Sequence, residues 1–104
     1  MDVMADYAWV ITKDHITPPE EESDEGIAGP RLAPDDLLKR VKAGEGHTFY
    51  LYDGDGERYY TGRLLTTGDM GSEEHCAAPL DDFGTGWAGC TDVRWHGHPE
   101  WAIG

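Results

Sequence analysis

The chain is short of base, of sulfur and of long apolar runs, and each shortage removes a class of function. Eight Lys and Arg stand against 21 Asp and Glu, a formal charge of −13 with neutral His. Nucleic acids and anionic membranes reward Lys and Arg, so direct binding to either is disfavoured, while attraction to basic protein surfaces is favoured. No apolar stretch approaches the ~18 residues of a membrane-spanning helix. The opening "MDVMADYAWVITK" has neither a basic segment nor a long apolar one, so a secretory leader is not expected. Cys76 and Cys90 are the only cysteines, too few for a disulfide scaffold. Two unlinked thiols, one or both buried, are the expectation, with a Cys76–Cys90 bridge as the alternative. No internal repeat is visible.

What remains is an aromatic-rich chain of one-domain length. Its 104 residues include four Trp, five Tyr and two Phe, and 38% are apolar. A chain of this size buries roughly 60–70% of its extended surface, enough for a core with little left for an internal cofactor cleft. The reading is therefore a single domain over 1–104, and no cofactor is expected.

Residues 7–13, "YAWVITK", alternate in the manner of a strand, with Tyr7, Trp9 and Ile11 on one face and Ala8, Val10 and Thr12 on the other. Four of the six prolines and the cluster Glu20, Glu21, Glu22, Asp24 and Glu25 follow, so a flexible acidic loop is expected over 17–33. A short helix is expected over 34–43. Pro34 suits its start, Asp35 and Asp36 its first turn, Lys39, Arg40 and Lys42 its last, and Gly44 its end. Residues 47–65, "HTFYLYDGDGERYYTGRLL", read as a hairpin. A two-residue Asp55-Gly56 turn would set Tyr52 opposite Tyr59, Leu51 opposite Tyr60 and Asp53 opposite Arg58. Phe49, Leu51, Tyr60 and Leu64 then form a core face. Tyr50, Tyr52, Tyr59 and Arg63 form the other, either covered by another element or exposed as a contact site. After Leu65 the composition reads as loop until "CTDVRWH", a strand, with "EWAI" returning beside it. The expected class is α+β, an antiparallel sheet of four or five strands with one short helix.

Several motifs fail on their physics. Gly84, Gly86 and Gly89 match a dinucleotide fingerprint, which works when glycines end a strand and open a helix whose N–H groups hold pyrophosphate. Here a strand pattern follows Gly89, and Asp81 and Asp82 would meet the phosphates, so the stretch reads as a loop. Asp82-Phe83-Gly84 lacks every partner motif of a kinase. "DGDGE" at 53–57 has Arg58 and Leu64 where a calcium loop needs glycine and a carboxylate, leaving at most a surface cation site on Asp53, Asp55 and Glu57. His75, Cys76, Cys90, His96 and His98 suit zinc in type but not in spacing. Glu73 and Glu74 beside His75 offer no evident pocket for acid–base work. No metal and no catalytic set are expected.

The strings "YAWVITKDH", "GPR", "FYLYDGDGERYYTGRLL" and "PLDDFGTGWAGCTDVRW" resemble a group of small acidic proteins encoded by actinobacterial phages and mobile elements. No residue roles carry over from that group. The resemblance implies a bacterial cytoplasm and an accessory, host-directed role. The expected function is a small acidic non-enzymatic domain that binds another protein, with Tyr50, Tyr52, Tyr59 and Arg63 as contact residues. The alternatives are a DNA mimic that blocks a DNA-binding protein and a metal-dependent enzyme.

Overall fold

A computed structural model describes residues 4–104; residues 1–3, part of the stretch read above for a leader, lie outside them. Five strands form one antiparallel sheet: β1 (Tyr7–Asp14), β2 (Ala28–Gly29), β3 (His47–Tyr52), β4 (Arg58–Thr66) and β5 (Asp92–Trp95), in the order β2-β1-β4-β3-β5. The α+β class and the antiparallel sheet are those read from the sequence. Helix content is greater. Besides α1 (Asp35–Lys42), a second helix α2 (Glu73–Pro79) runs on into a π-helical coil (Leu80–Ala88).

Strand alternation divides the apolar residues between two cores. On one face Trp9, Ile11, Phe49, Leu51, Tyr60, Leu64, Val93 and Trp95 pack under Ala78, Leu80 and Phe83 of α2 and its coil. On the other, Ala8 and Val10 meet Ala33, Leu37 and Val41. Each fully buried Leu, Val or Phe contributes roughly 1.5–3 kcal/mol of transfer free energy, so the first face carries most of the stabilisation. Gly62 lies at its centre, under the Phe49 ring and the Val10 carbonyl, where a Cβ would collide with both.

The segment over 69–89 departs from the loop expected there. Ser72 accepts a hydrogen bond from the His75 N–H and so caps α2, and buried Cys76, Ala77, Ala78, Leu80 and Phe83 supply an apolar face that anchors it. Helix formation here is decided by tertiary burial, which outweighs the poor propensity of Gly, Asp and Pro. Gly89, at φ +72°, ends the coil, and its N–H and that of Cys90 reach the carbonyls of Thr85 and Gly84. The glycines thus close a helix and lead into β5, the reverse of a dinucleotide loop.

Two smaller readings are also corrected. Residues 53–57 form a tight turn closed by Gly56 at φ +82°, with the Gly56 N–H bonded to the Asp53 carbonyl and the Asp53 N–H to the Glu57 carbonyl. This three-residue hairpin, in place of the two-residue one, keeps Leu51 opposite Tyr60 but puts Tyr52 opposite Arg58 through a bulge at Tyr59. At the C-terminus the expected strand is a 3₁₀ turn (Pro99–Trp101) followed by a single bridge from Ile103 to Val93.

The acidic connection between β1 and α1 is anchored by carboxylates. Asp14 accepts the N–H groups of Ile16, Thr17 and Asp24, and Asp24 accepts the Tyr60 hydroxyl at 2.7 Å and the Trp87 indole N–H at 3.1 Å. No helix among the described residues is long and apolar enough to cross a membrane.

Candidate functional site: a tyrosine–arginine face

Helix α1 touches β1 and β4, leaving the β3–β5 half of its face without a helix. Pairing places Tyr50 beside Arg94, and Tyr52 between Arg58 and Asp92. The Arg58 guanidinium lies over the Tyr50 ring at 4.0 Å, and its Nη2 donates to the Tyr52 hydroxyl at 2.8 Å. The Arg94 guanidinium lies over the Tyr52 ring at 4.7 Å. The Tyr50 hydroxyl shares a hydrogen bond with His96 Nδ1 at 3.0 Å. Each cation–ring contact at such an exposed site is worth about 0.5–1 kcal/mol, which fixes the side chains more than it stabilises the fold. With Gly97, Pro99 and Ala102 these residues line an open groove of about 490 Å³.

Of the four residues expected to share a contact surface, three share this face. Tyr50 and Tyr52 are at its centre. Arg63, opposite Val10 and Thr48, is at the α1 end and half-buried. Tyr59 is not part of it. The bulge takes it out of alternation, and it packs against the large core on the other face, where the Asp53 carboxylate raises its hydroxyl above the ordinary tyrosine range. Sequence reasoning missed Arg58 and Arg94. The signal was present in the tripeptide spacing Gly54-Asp55-Gly56, whose length sets the register and hence which β4 residue faces Tyr52.

Charge is unevenly distributed about the sheet. Pairing sets Lys13 opposite Thr61, Arg63 opposite Val10, and Arg58 and Arg94 beside the tyrosines, all on the α1 side, while α1 itself sets Lys39, Arg40 and Lys42 against Asp35 and Asp36. Glu73, Glu74, Asp81 and Asp82 are on the helices of the opposite side. Among the described residues the ion pairs are Arg40–Glu45, His75–Asp6 and His98–Glu100; Arg58 and Arg94 belong to none of them.

Comparison with known protein families, curated proteins and solved structures finds no match. The site must be read from its own chemistry.

A second constellation has the outline of a catalytic triad. Ser72 Oγ is 2.8 Å from His75 Nδ1, and Asp6 Oδ1 is 2.9 Å from His75 Nε2. Its hydrogen bonds argue for a structural role. Nδ1 is 2.6 Å from the Asp69 carbonyl, which can only accept, so the nitrogen carries a proton and cannot take one from Ser72. Burial alone would push the His75 imidazolium pKa down. The hydrogen bond to Asp6, the Asp69 carbonyl and the charges of Asp6 and Glu74 outweigh burial and raise it. His75, 4% exposed, is a double donor that ties the segment before β1 to the start of α2. Sequence reasoning singled out His75 but paired it with Glu73 and Glu74; Asp6 is too distant in the chain for a spacing argument to reach.

The remaining reactive side chains are held apart. Cys76 and Cys90 are buried, unlinked thiols. Burial raises both pKa values, that of Cys90 to about 11, so neither is a ready thiolate. No group of three or more His, Cys, Asp or Glu among the described residues is placed to hold a metal ion. The Asp53 carboxylate, a candidate for a surface cation, accepts the N–H groups of Asp55 and Glu57 instead.

Proposed function

We propose that the protein is a non-enzymatic protein-binding domain whose contact surface is the helix-free half of the sheet around Tyr50 and Tyr52. The observation that carries this reading is the pairing of Tyr50 and Tyr52 with Arg58 and Arg94 on the half of the face away from α1. Tyr and Arg are the residue types that anchor interfaces, because rigid amphipathic rings and planar guanidinium groups give up little freedom on contact. His75, Cys76 and Cys90, the side chains with catalytic potential, are engaged in packing and hydrogen bonds of the fold. The phage-like sequence strings support a cytoplasmic accessory factor that engages a host protein.

The test is a pull-down from actinobacterial lysate with wild-type protein and with Tyr50→Ser/Tyr52→Ser. The expected result is a specific partner captured by the first and lost by the second, with the variant's thermal melt retained. Equal capture by both would overturn the assignment of the surface.

A further inference from the structure

We propose that the occupant of the tyrosine–arginine face is an extended acidic segment of the partner, its carboxylates held by Arg58 and Arg94 and its backbone laid across Tyr50 and Tyr52. This inference rests on the binding role proposed above and names the partner's chemistry.

The first argument is the state of the two arginines. In a chain with 21 acids, a surface guanidinium has many potential carboxylate partners, yet Arg58 and Arg94 are in no ion pair among the described residues. Both are exposed, and both are held by the tyrosine rings beneath them. Arg58 uses Nε and Nη2 on the Tyr52 hydroxyl, while Arg94 makes no side-chain hydrogen bond among the described residues. The free N–H edges form forks that match carboxylates two bonds at a time. Because stacking restrains the side chains in advance, less rotamer entropy is lost when a carboxylate arrives.

The second argument is the surrounding charge. The groove lining holds Arg58, Arg94 and His96 and no carboxylate, and Lys13 and Arg63 are on the same side of the sheet, whereas Asp92 at the β5 rim is the carboxylate nearest Tyr52 in the strand pairing. A short acidic segment meets this local field. A long polyanion such as nucleic acid must also approach a molecule of charge −13, and that repulsion grows with every phosphate. The chain's own acidic loop is no competitor within one molecule, because Asp24 is bonded to Tyr60 and Trp87 on the opposite side of the sheet.

The groove favours an extended chain over a compact ligand. Its lining, about 490 Å³ in volume, spans three adjacent strands, with Arg58 on β4, Tyr50 and Tyr52 on β3 and Arg94 on β5. Residues two apart on an extended segment point the same way, so alternate acidic residues can face the arginines.

The test is fluorescence polarisation with a labelled peptide of alternating Glu and Ala, its Gln-for-Glu counterpart, and oligothymidylate of similar length. Each is measured against wild type, Arg58→Gln/Arg94→Gln and Tyr50→Ser/Tyr52→Ser, at low and physiological salt. The Glu peptide is expected to bind wild type, to weaken with salt, and to lose about tenfold or more in the arginine variant. The Gln peptide should bind wild type no better than the Glu peptide binds that variant. No binding of the Glu peptide, equal binding of the two peptides, preference for oligothymidylate, or an unchanged arginine variant would each overturn the inference. So would a wild-type dimer in sedimentation that the arginine variant dissociates, since the occupant would then be a second copy. A cellular partner lost with the tyrosine variant but retained by the arginine variant would sink the acidic occupant and leave the binding role standing. A partner retained by both would remove the two together.

Discussion

Strand β3 holds two chemistries that differ only in parity. Phe49 and Leu51 are fully buried under the α2 coil, while Tyr50 and Tyr52, one residue along, are half-buried beside arginines on the half of the α1 face that lies away from that helix. The two faces share one backbone, one set of ladder hydrogen bonds and one local sequence. What separates them is the covering element. The covered face is stabilised by exclusion of water from aromatic and aliphatic carbon. The other is organised by cation–ring contacts and hydroxyl hydrogen bonds, which persist in water but add little to stability. A single sheet can therefore bury its main core on one side and leave part of the other to surface contacts, and each can vary with little effect on the other.

The contrast can be broken most severely from the covered side. Phe49→Ala removes a ring packed against Trp95 and Gly62, and is expected to cost about 3–5 kcal/mol in denaturant unfolding. A loss below about 1 kcal/mol would mean that this face is not the main core.

A smaller effect is expected from the acidic connection. Asp24→Ala removes the acceptor of the buried Tyr60 hydroxyl and of the Trp87 indole, with an expected loss of about 1–3 kcal/mol. If stability is unchanged, the connection contributes nothing to the covered face.

The His75–Asp6 bond sharpens the comparison through pH. Because the folded pKa of His75 is raised, its contribution is fully present below the unfolded value of about 6.5 and is lost as pH rises through the folded value. Asp6→Asn should therefore lower the thermal midpoint more near pH 6 than near pH 8, and by less than Asp24→Ala does. A penalty that grows with pH would show that His75 is neutral in the folded protein. Nothing in this behaviour should alter the tyrosine face.

The smallest change in stability is expected where the largest change in binding is. Tyr50→Ser and Tyr52→Ser lose their cation–ring contacts, about 0.5–1 kcal/mol each, in a thermal melt. Losses comparable to that of Phe49→Ala would place these residues in the core and erase the distinction between the two faces.

Much of the sheet was legible because alternation is a short-range signal. The core face of Phe49, Leu51, Tyr60 and Leu64 and the faces of β1 follow from period two alone. Helix α1 was legible from Asp35 and Asp36 at its start and its bases at its end. Helix α2 and its coil were not, because they pack against distant partners, Trp95 at Cys76 and Trp9 and Tyr60 at Phe83, while their Gly, Asp and Pro content argues locally for a loop. The candidate site was half legible. Tyr50 and Tyr52 follow from alternation, but Arg58 and Tyr59 exchange roles through one extra residue in the turn, and Arg94 arrives from a strand more than thirty residues downstream. Composition could count the bases but could not place Arg58, Arg63 and Arg94 on one side of the sheet.

The Trp87 ring has a practical consequence. It is 63% exposed, stacked on Phe83 and bonded through its indole N–H to Asp24, whereas Trp9 and Trp95 are buried. Its emission is therefore the one among these three open to an aqueous quencher such as iodide or acrylamide. The chain carries an intrinsic optical probe that reports the docking of its acidic connection without a dye.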